Sequence, residues 1–157
     1  MWAILLALIL VVPIVEGQAL PAVAEAPDCA EEQCLHGFAT YYAAGVMEQV
    51  VANRRSWGQL QPEAKVVGYV AVLDCSLIGQ MADIWWELEE VRDGPYLVAD
   101  CAARQHAELL RQRQFVVDVD WATSRRHRMA GPVPVTLIIH QTREVEHENV
   151  GQSSRGS

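Results

Sequence analysis

Residues 94–103 read GPYLVADCAA: a glycine–proline turn, an apolar run, then an aspartate and a cysteine side by side. Turn residues followed by a short run rich in Tyr, Leu and Val predict a strand over 95–100, closed by Asp100. The same step closes an earlier apolar run, VAVLDCSLIG at 70–79, where Asp74 precedes Cys75. Two strands that each end in a carboxylate beside a thiol give the frame from which the rest of the chain is read.

Upstream, GFATYYAAG (37–45) is aromatic and threonine-rich and reads as a strand, and VGYVAVL (67–73) as another. Between them, VMEQVVANRR fits a helical turn or a loop, and QLQPEAK a connector. ADIWWELEEV (82–91) is read as a strand on its Ile-Trp-Trp centre, ended by an Arg-Asp-Gly-Pro turn. Downstream, AARQHAELLRQRQ (102–114) has a helical pattern, and FVVDVD (115–120) alternates Phe115, Val117 and Val119 on one face. Asp120 reads as the N-cap of a helix over WATSRRHRM with Gly131 as its stop, and PVPVTLIIH (132–140) as the last strand. Many short strands with one or two short helices predict a mainly β protein, a small barrel. Asp118 is expected to be a strand-edge residue, and the five histidines surface or structural residues.

A length of 157 residues fits one domain plus appendages. A net charge of −8 with one lysine, Lys65, argues against a nucleic-acid partner, which needs clustered Lys and Arg. The opening MWAILLALILVVPIVEG is an apolar run of about fifteen residues, short of the ~20 needed to span a bilayer. Small-x-small sites follow it at 22–24 (AVA) and 24–26 (AEA). The expected organisation is a signal peptide over 1–26, a polar lead-in over 27–35, a folded domain over 36–142 and a disordered polar tail over 143–157. The mature protein is expected to be secreted or in the cell envelope, with no stable membrane span once the signal is cleaved.

Four cysteines in an exported domain point to disulfides, with three possible connectivities. Cys29 and Cys34 can close a short loop around AEEQ, which leaves Cys75 for Cys101. The spacings are not those of a zinc site, and no metal or cofactor is expected. If Cys75 and Cys101 are bridged, their Cα atoms lie roughly 4.4–6.8 Å apart. Neighbouring strand residues face opposite ways, so Asp74 and Asp100 would then leave together on the face away from the disulfide. Two carboxylates that close raise the pKa of one of them, and a protonated carboxyl is what cleaving a glycosidic bond requires.

The order GFATYY, SLIG, GPYLVADCA, VVDVDWATSRRHRMAGPVPV resembles the double-psi β-barrel superfamily, and within it the rare-lipoprotein-A-like and barwin/expansin-like domains, over about 36–141. Gly37, Ala39, Thr40 and Tyr42 match the family's opening Gly-x-Ala-[ST]-x-Tyr, and Asp100 matches its mid-barrel aspartate. Asp120 through Val135 match its Asp-led helix and last strand. The resemblance implies a six-stranded double-psi barrel whose partner is a cell-wall polysaccharide, peptidoglycan or a similar glycan. It also implies that Asp100 acts as general acid or contacts the glycan, with Thr40 and Tyr42 lining the groove.

The chain departs from the pattern in three places. Ala44 stands where the cellulase relatives carry a second aspartate, and Leu73 where the lipoprotein-A-like domains carry a histidine. Cys101-Ala102-Ala103 follows Asp100 in place of Arg-Gly-Pro. A hydrolase with the usual base is therefore not expected. A lytic transglycosylase needs less, since the sugar's own 6-hydroxyl attacks and one tuned carboxyl serves as acid and then base. The expectation is such an enzyme, with Asp100 and Asp74 as its catalytic pair and Trp85 and Trp86 offering an indole face to a sugar. The alternatives are a non-catalytic, expansin-like polysaccharide-binding module and a disulfide-stabilised interaction domain.

Overall fold

The computed structural model describes residues 26–30, 33–61 and 65–140; the expected signal peptide, apart from its last residue, and the expected polar tail lie outside the described residues. The elements are β1 (Gln33–Tyr41), α1 (Val46–Ser56), β2 (Gly68–Val72), a 3-10 turn (Cys75–Leu77), β3 (Met81–Trp86), β4 (Val91–Cys101), α2 (Arg104–Gln112), β5 (Phe115–Val119), α3 (Trp121–Arg126) and β6 (Val133–Ile139). The six strands close into a barrel in the order β1-β5-β2-β4-β3-β6. This is the mainly β, six-stranded barrel that the sequence predicts, and its mixed pairing is compatible with a double-psi topology. It carries three short helices rather than one or two, because the ambiguous stretch after Gly45 forms α1.

The pairings have an internal two-fold. Exchanging β1 with β4, β2 with β5 and β3 with β6 turns the parallel pair β1/β5 into the parallel pair β4/β2. The same exchange turns the antiparallel pair β1/β6 into β4/β3 and returns β2/β5 and β3/β6 to themselves. The two Asp-Cys steps are not symmetry mates. Asp74 follows β2, and its counterpart after β5 is Asp120. Both cap a short helical turn, Asp74 accepting from the Ser76 N–H and Asp120 from the Thr123 N–H.

Period-two alternation divides the apolar residues into two layers. Val70, Val72, Ile84, Trp86, Tyr96, Val98, Val117, Val119, Leu137 and Ile139 fill the interior. On the outer wall, Met47 and Val51 of α1, with Leu60, pack on Ala71, Leu97 and Ala99. Gly68 is required by a close approach: a Cβ there would stand 2.6 Å from Asp120 Oδ2 and 2.7 Å from Thr123 Oγ1. Asp120 needs that space, since its Oδ2 also accepts from the Tyr69 N–H at 2.6 Å.

The Arg-Asp-Gly-Pro segment, expected as a turn, lies inside β4, and the β3–β4 turn occupies 87–90 with Glu90 at φ 51°. Asp83 of β3 ties this segment into the ladder. Arg92 donates to Asp83 on β3 at 2.8 Å, and the space that a side chain on Gly94 would need is taken by the Asp83 carboxylate.

Both expected disulfides form, Cys29–Cys34 with Cα atoms 5.6 Å apart and Cys75–Cys101 with 5.0 Å. They accord with an oxidising compartment. Among the described residues no helix is long and apolar enough to cross a membrane.

Candidate functional site

Tyr96 and Val98 of β4 point into the barrel, and strict alternation would send Asp100 in after them. The register prevents this. Val70 pairs with Val98, but the next residue of β2, Ala71, pairs with Asp100, so Ala99 is an inserted residue. A bulge of this kind re-aims the side chains beyond it. Asp100 emerges on the outer wall, where Arg54 of α1 reaches its Oδ1 at 2.7 Å and the Tyr42 hydroxyl donates to its Oδ2 at 3.2 Å.

Asp118 reaches the same wall by ordinary alternation, between the inward Val117 and Val119. Ala71 is the register partner of both Asp100 and Asp118, and Asp118 is also the partner of Thr40. Thr40, Asp118, Ala71 and Asp100 thus form one row across four adjacent strands. Two strand spacings separate the carboxylate-bearing Cα atoms by roughly 9–10 Å, and Ala71 between them is buried against Met47 and Val51 of α1. Tyr42, Asp100, Asp118 and His106, the last from α2, line a cavity of about 450 Å³ beside the row. A second cavity, of about 570 Å³, borders Arg54, Gln59, Ile78 and the Cys75–Cys101 bridge. The Arg54–Asp100 pair stands between the two, so they form a groove interrupted at that pair.

The two carboxyls differ in their surroundings. Asp100 has a guanidinium beside it, with both side chains about four-fifths buried. Asp118 has none among the described residues, and burial together with the Asp100 charge pushes its carboxyl up from 3.8 to about 6. Burial, then the charges of Asp100 and Asp118, also hold the Tyr42 phenol well above its ordinary range, so it remains a donor.

Tyr42 meets Asp100 through its hydroxyl, whereas Thr40 stands at the far end of the row, three strand spacings from Asp100. Asp74 does not join them. β2 has ended at Val72, so strand alternation no longer aims Asp74, which instead caps the 3-10 turn. It is exposed, and the hydrogen bonds from Ser76 hold its carboxyl below the ordinary value. The carboxyl that feels Asp100 is Asp118. Trp85 and Trp86 are 8% and 3% exposed, so neither offers an open face to a sugar. Trp86 points into the barrel with Ile84, its ring stacked on His127 at 3.8 Å, and its Nε1 has no partner among the described residues.

His127 belongs to a separate cluster that fastens the β3–β4 turn to α3. Its ring nitrogens lie 2.9 Å from Glu89 and 3.0 Å from Asp93, and Arg126 donates to Asp93 at 2.7 Å. Burial raises the Asp93 carboxyl, but hydrogen bonds from Tyr96, Arg126 and His127 outweigh it and hold the group below its ordinary value.

The residues missed by sequence reasoning are Asp118, Arg54 and His106. Asp118 left a signal, a charge at the outward position of an alternating strand. Arg54 and His106 left none, since the docking of α1 and α2 brings them to the row. No family model, curated protein or solved structure matches this chain.

Proposed function

We propose that this protein is an exported, cell-wall glycan-active domain of the rare-lipoprotein-A-like kind, most specifically a lytic transglycosylase in which Asp118 and Asp100 act as an unlike pair. One observation carries the reading. Two carboxyls in a single row line one cavity, one beside a guanidinium and the other raised to about 6 with no cation among the described residues to offset it. Carboxyl pairs whose environments push them apart in this way divide acid and charge-stabilising roles between them. Cavities lie on both sides of the Arg54–Asp100 pair, which suits a polymer better than a small molecule.

In this scheme Asp118 donates its proton to the bridging oxygen as the bond from that oxygen to the anomeric carbon breaks. The negative charge of Asp100, oriented by Arg54 and Tyr42, stabilises the positive charge that develops on the sugar. The 6-hydroxyl of the same sugar then bonds to the anomeric carbon, and its proton passes to the Asp118 carboxylate, which restores the acid. The product is an anhydro sugar, and no positioned water is consumed. In this scheme the role of acid, expected for Asp100, passes to Asp118.

The test is a mass-spectrometric search for anhydro-muropeptides after incubation with purified peptidoglycan. The parent should form them, and Asp118→Asn should lose about 10²–10⁴-fold in rate while still binding the polymer. Binding without products from the parent would replace this reading with the expansin-like module. Parent-like product formation by Asp118→Asn would remove Asp118 from the chemistry.

A further inference from the structure

Helix α2 has a cavity on each flank. His106 and Leu110 face the carboxylate groove, while Arg104, Ala107 and Arg111, spaced by three and four residues, face the other way. On that second flank lies a cavity of about 400 Å³, floored by Leu35, Leu73, Leu77 and Phe115. Its volume is in the range of small-molecule sites, and three separate parts of the chain wall it: the start of β1, the 3-10 turn, and the α2–β5 junction. A second hollow of about 370 Å³ continues it past Leu73, Asp74 and Arg111 to Arg104. The glycan scheme uses none of these residues.

Opposite charges stand on the rim shared by the two hollows. Asp74 is fixed there by its own cap bond, in which Oδ1 accepts from Ser76 at 2.9 Å, and by the disulfide one residue on. The carboxylate is otherwise exposed on the rim. Arg111 gives one guanidinium nitrogen to Glu108 at 2.7 Å, and no carboxylate among the described residues holds Arg104. The rim therefore presents one anchored carboxylate and two arginines above an apolar floor.

We propose that this cavity binds a short zwitterionic peptide, its ammonium on Asp74, its carboxylate on Arg111 and Arg104, and an apolar side chain on Leu35, Leu77 and Phe115. A ligand with one charge would leave half of this rim unmatched, and a purely apolar one would bury Asp74 without compensation. If the glycan proposal also holds, a glycopeptide could lay its sugar in one groove and its peptide branch in the other, with α2 between them. The peptide site does not depend on it.

The probe is the free dipeptide alanyl-leucine, compared with its N-acetylated and C-amidated forms and titrated into the whole domain by heteronuclear NMR. The free dipeptide should shift amides within 73–77 and 111–116, and each blocked form should bind about fivefold more weakly. Asp74→Asn should abolish the discrimination against N-acetylation alone, and Arg111→Gln should reduce the discrimination against amidation alone. The proposal is overturned if no shifts appear in those segments up to about 10 mM, if the three forms bind alike, or if both variants discriminate as the parent does. The probe carries no sugar, so its failure leaves the glycan reading standing, and absence of anhydro products leaves this one standing.

Discussion

Replacing Asp118 by asparagine should make the protein more stable, and only above mildly acid pH. Its carboxyl titrates near 6 in the folded chain against an ordinary 3.8, because burial and the Asp100 charge both penalise the ionised form. Below 3.8 the group is protonated in the folded and the unfolded chain alike, so it contributes no difference. Between 3.8 and about 6 the unfolded chain has lost the proton and the folded chain has kept it, so stability falls as pH rises. Above that window the whole cost of holding a buried carboxylate is in place, about 3 kcal/mol for a displacement of this size. Asparagine keeps the shape and cannot ionise. The difference in unfolding free energy between variant and parent, from urea melts at closely spaced pH, should be near zero below 4 and climb to about 3 kcal/mol by pH 8. Asp100→Asn removes the second cause and should shrink that difference without abolishing it. Parallel stability curves for parent and Asp118→Asn across this range would mean that Asp118 is not held against its ionised form, and the acid role would fall with it.

Other perturbations address the scaffold. Gly68→Ala sets a methyl carbon against Asp120 Oδ2 and Thr123 Oγ1 and should cost at least about 2 kcal/mol in chemical melts, since the α3 cap must move. His127→Ala removes the ring stacked on Trp86 and one of the donors to Asp93, and should cost about 2–3 kcal/mol in the same melts. Replacing Cys75 and Cys101 by serine opens a loop with a sequence separation of 26, and the chain-entropy model puts the loss at about 3–4 kcal/mol. Calorimetry on the double variant checks this, and a loss below about 1 kcal/mol would show that the bridge adds little to a barrel already closed.

The barrel is legible in the sequence because its strands obey a simple rule. Val117 and Val119 alternate about Asp118 as a one-sided strand does, 70–72 and 137–139 are short continuous apolar runs of strands buried on both faces, and Asp120 announces its helix as a cap. The failures are places where something non-local overrides the local pattern. The β3–β4 turn is displaced from its expected position because Gly94 and Pro95 look like a turn, while Asp83 across the ladder makes them part of a strand. Trp85 and Trp86 carry no mark of their burial in sequence, and the stacking partner of Trp86 lies on the far side of β4 and β5 in chain order. Asp74 and Asp100 look alike because each precedes a cysteine. One lies past the end of its strand and the other is turned outward by a single inserted alanine. Asp118, read as a strand-edge residue, takes its unusual surroundings from Asp100, a partner no local pattern could name.

Gln33, the first residue of β1, and Ile139, the last of β6, are register partners on the same ladder. The polypeptide therefore enters and leaves the barrel at one pole. A tether attached before Gln33 or after Ile139 grips that pole, and Thr40 lies seven residues further along β1, about 23 Å away. Hung from a surface by either end, the domain would hold its carboxylate row outward, toward whatever polymer lies beyond. The same closeness makes the barrel a candidate for circular permutation: a few linking residues from Ile139 to Gln33, with new ends opened in the 87–90 turn, would leave all six ladders intact.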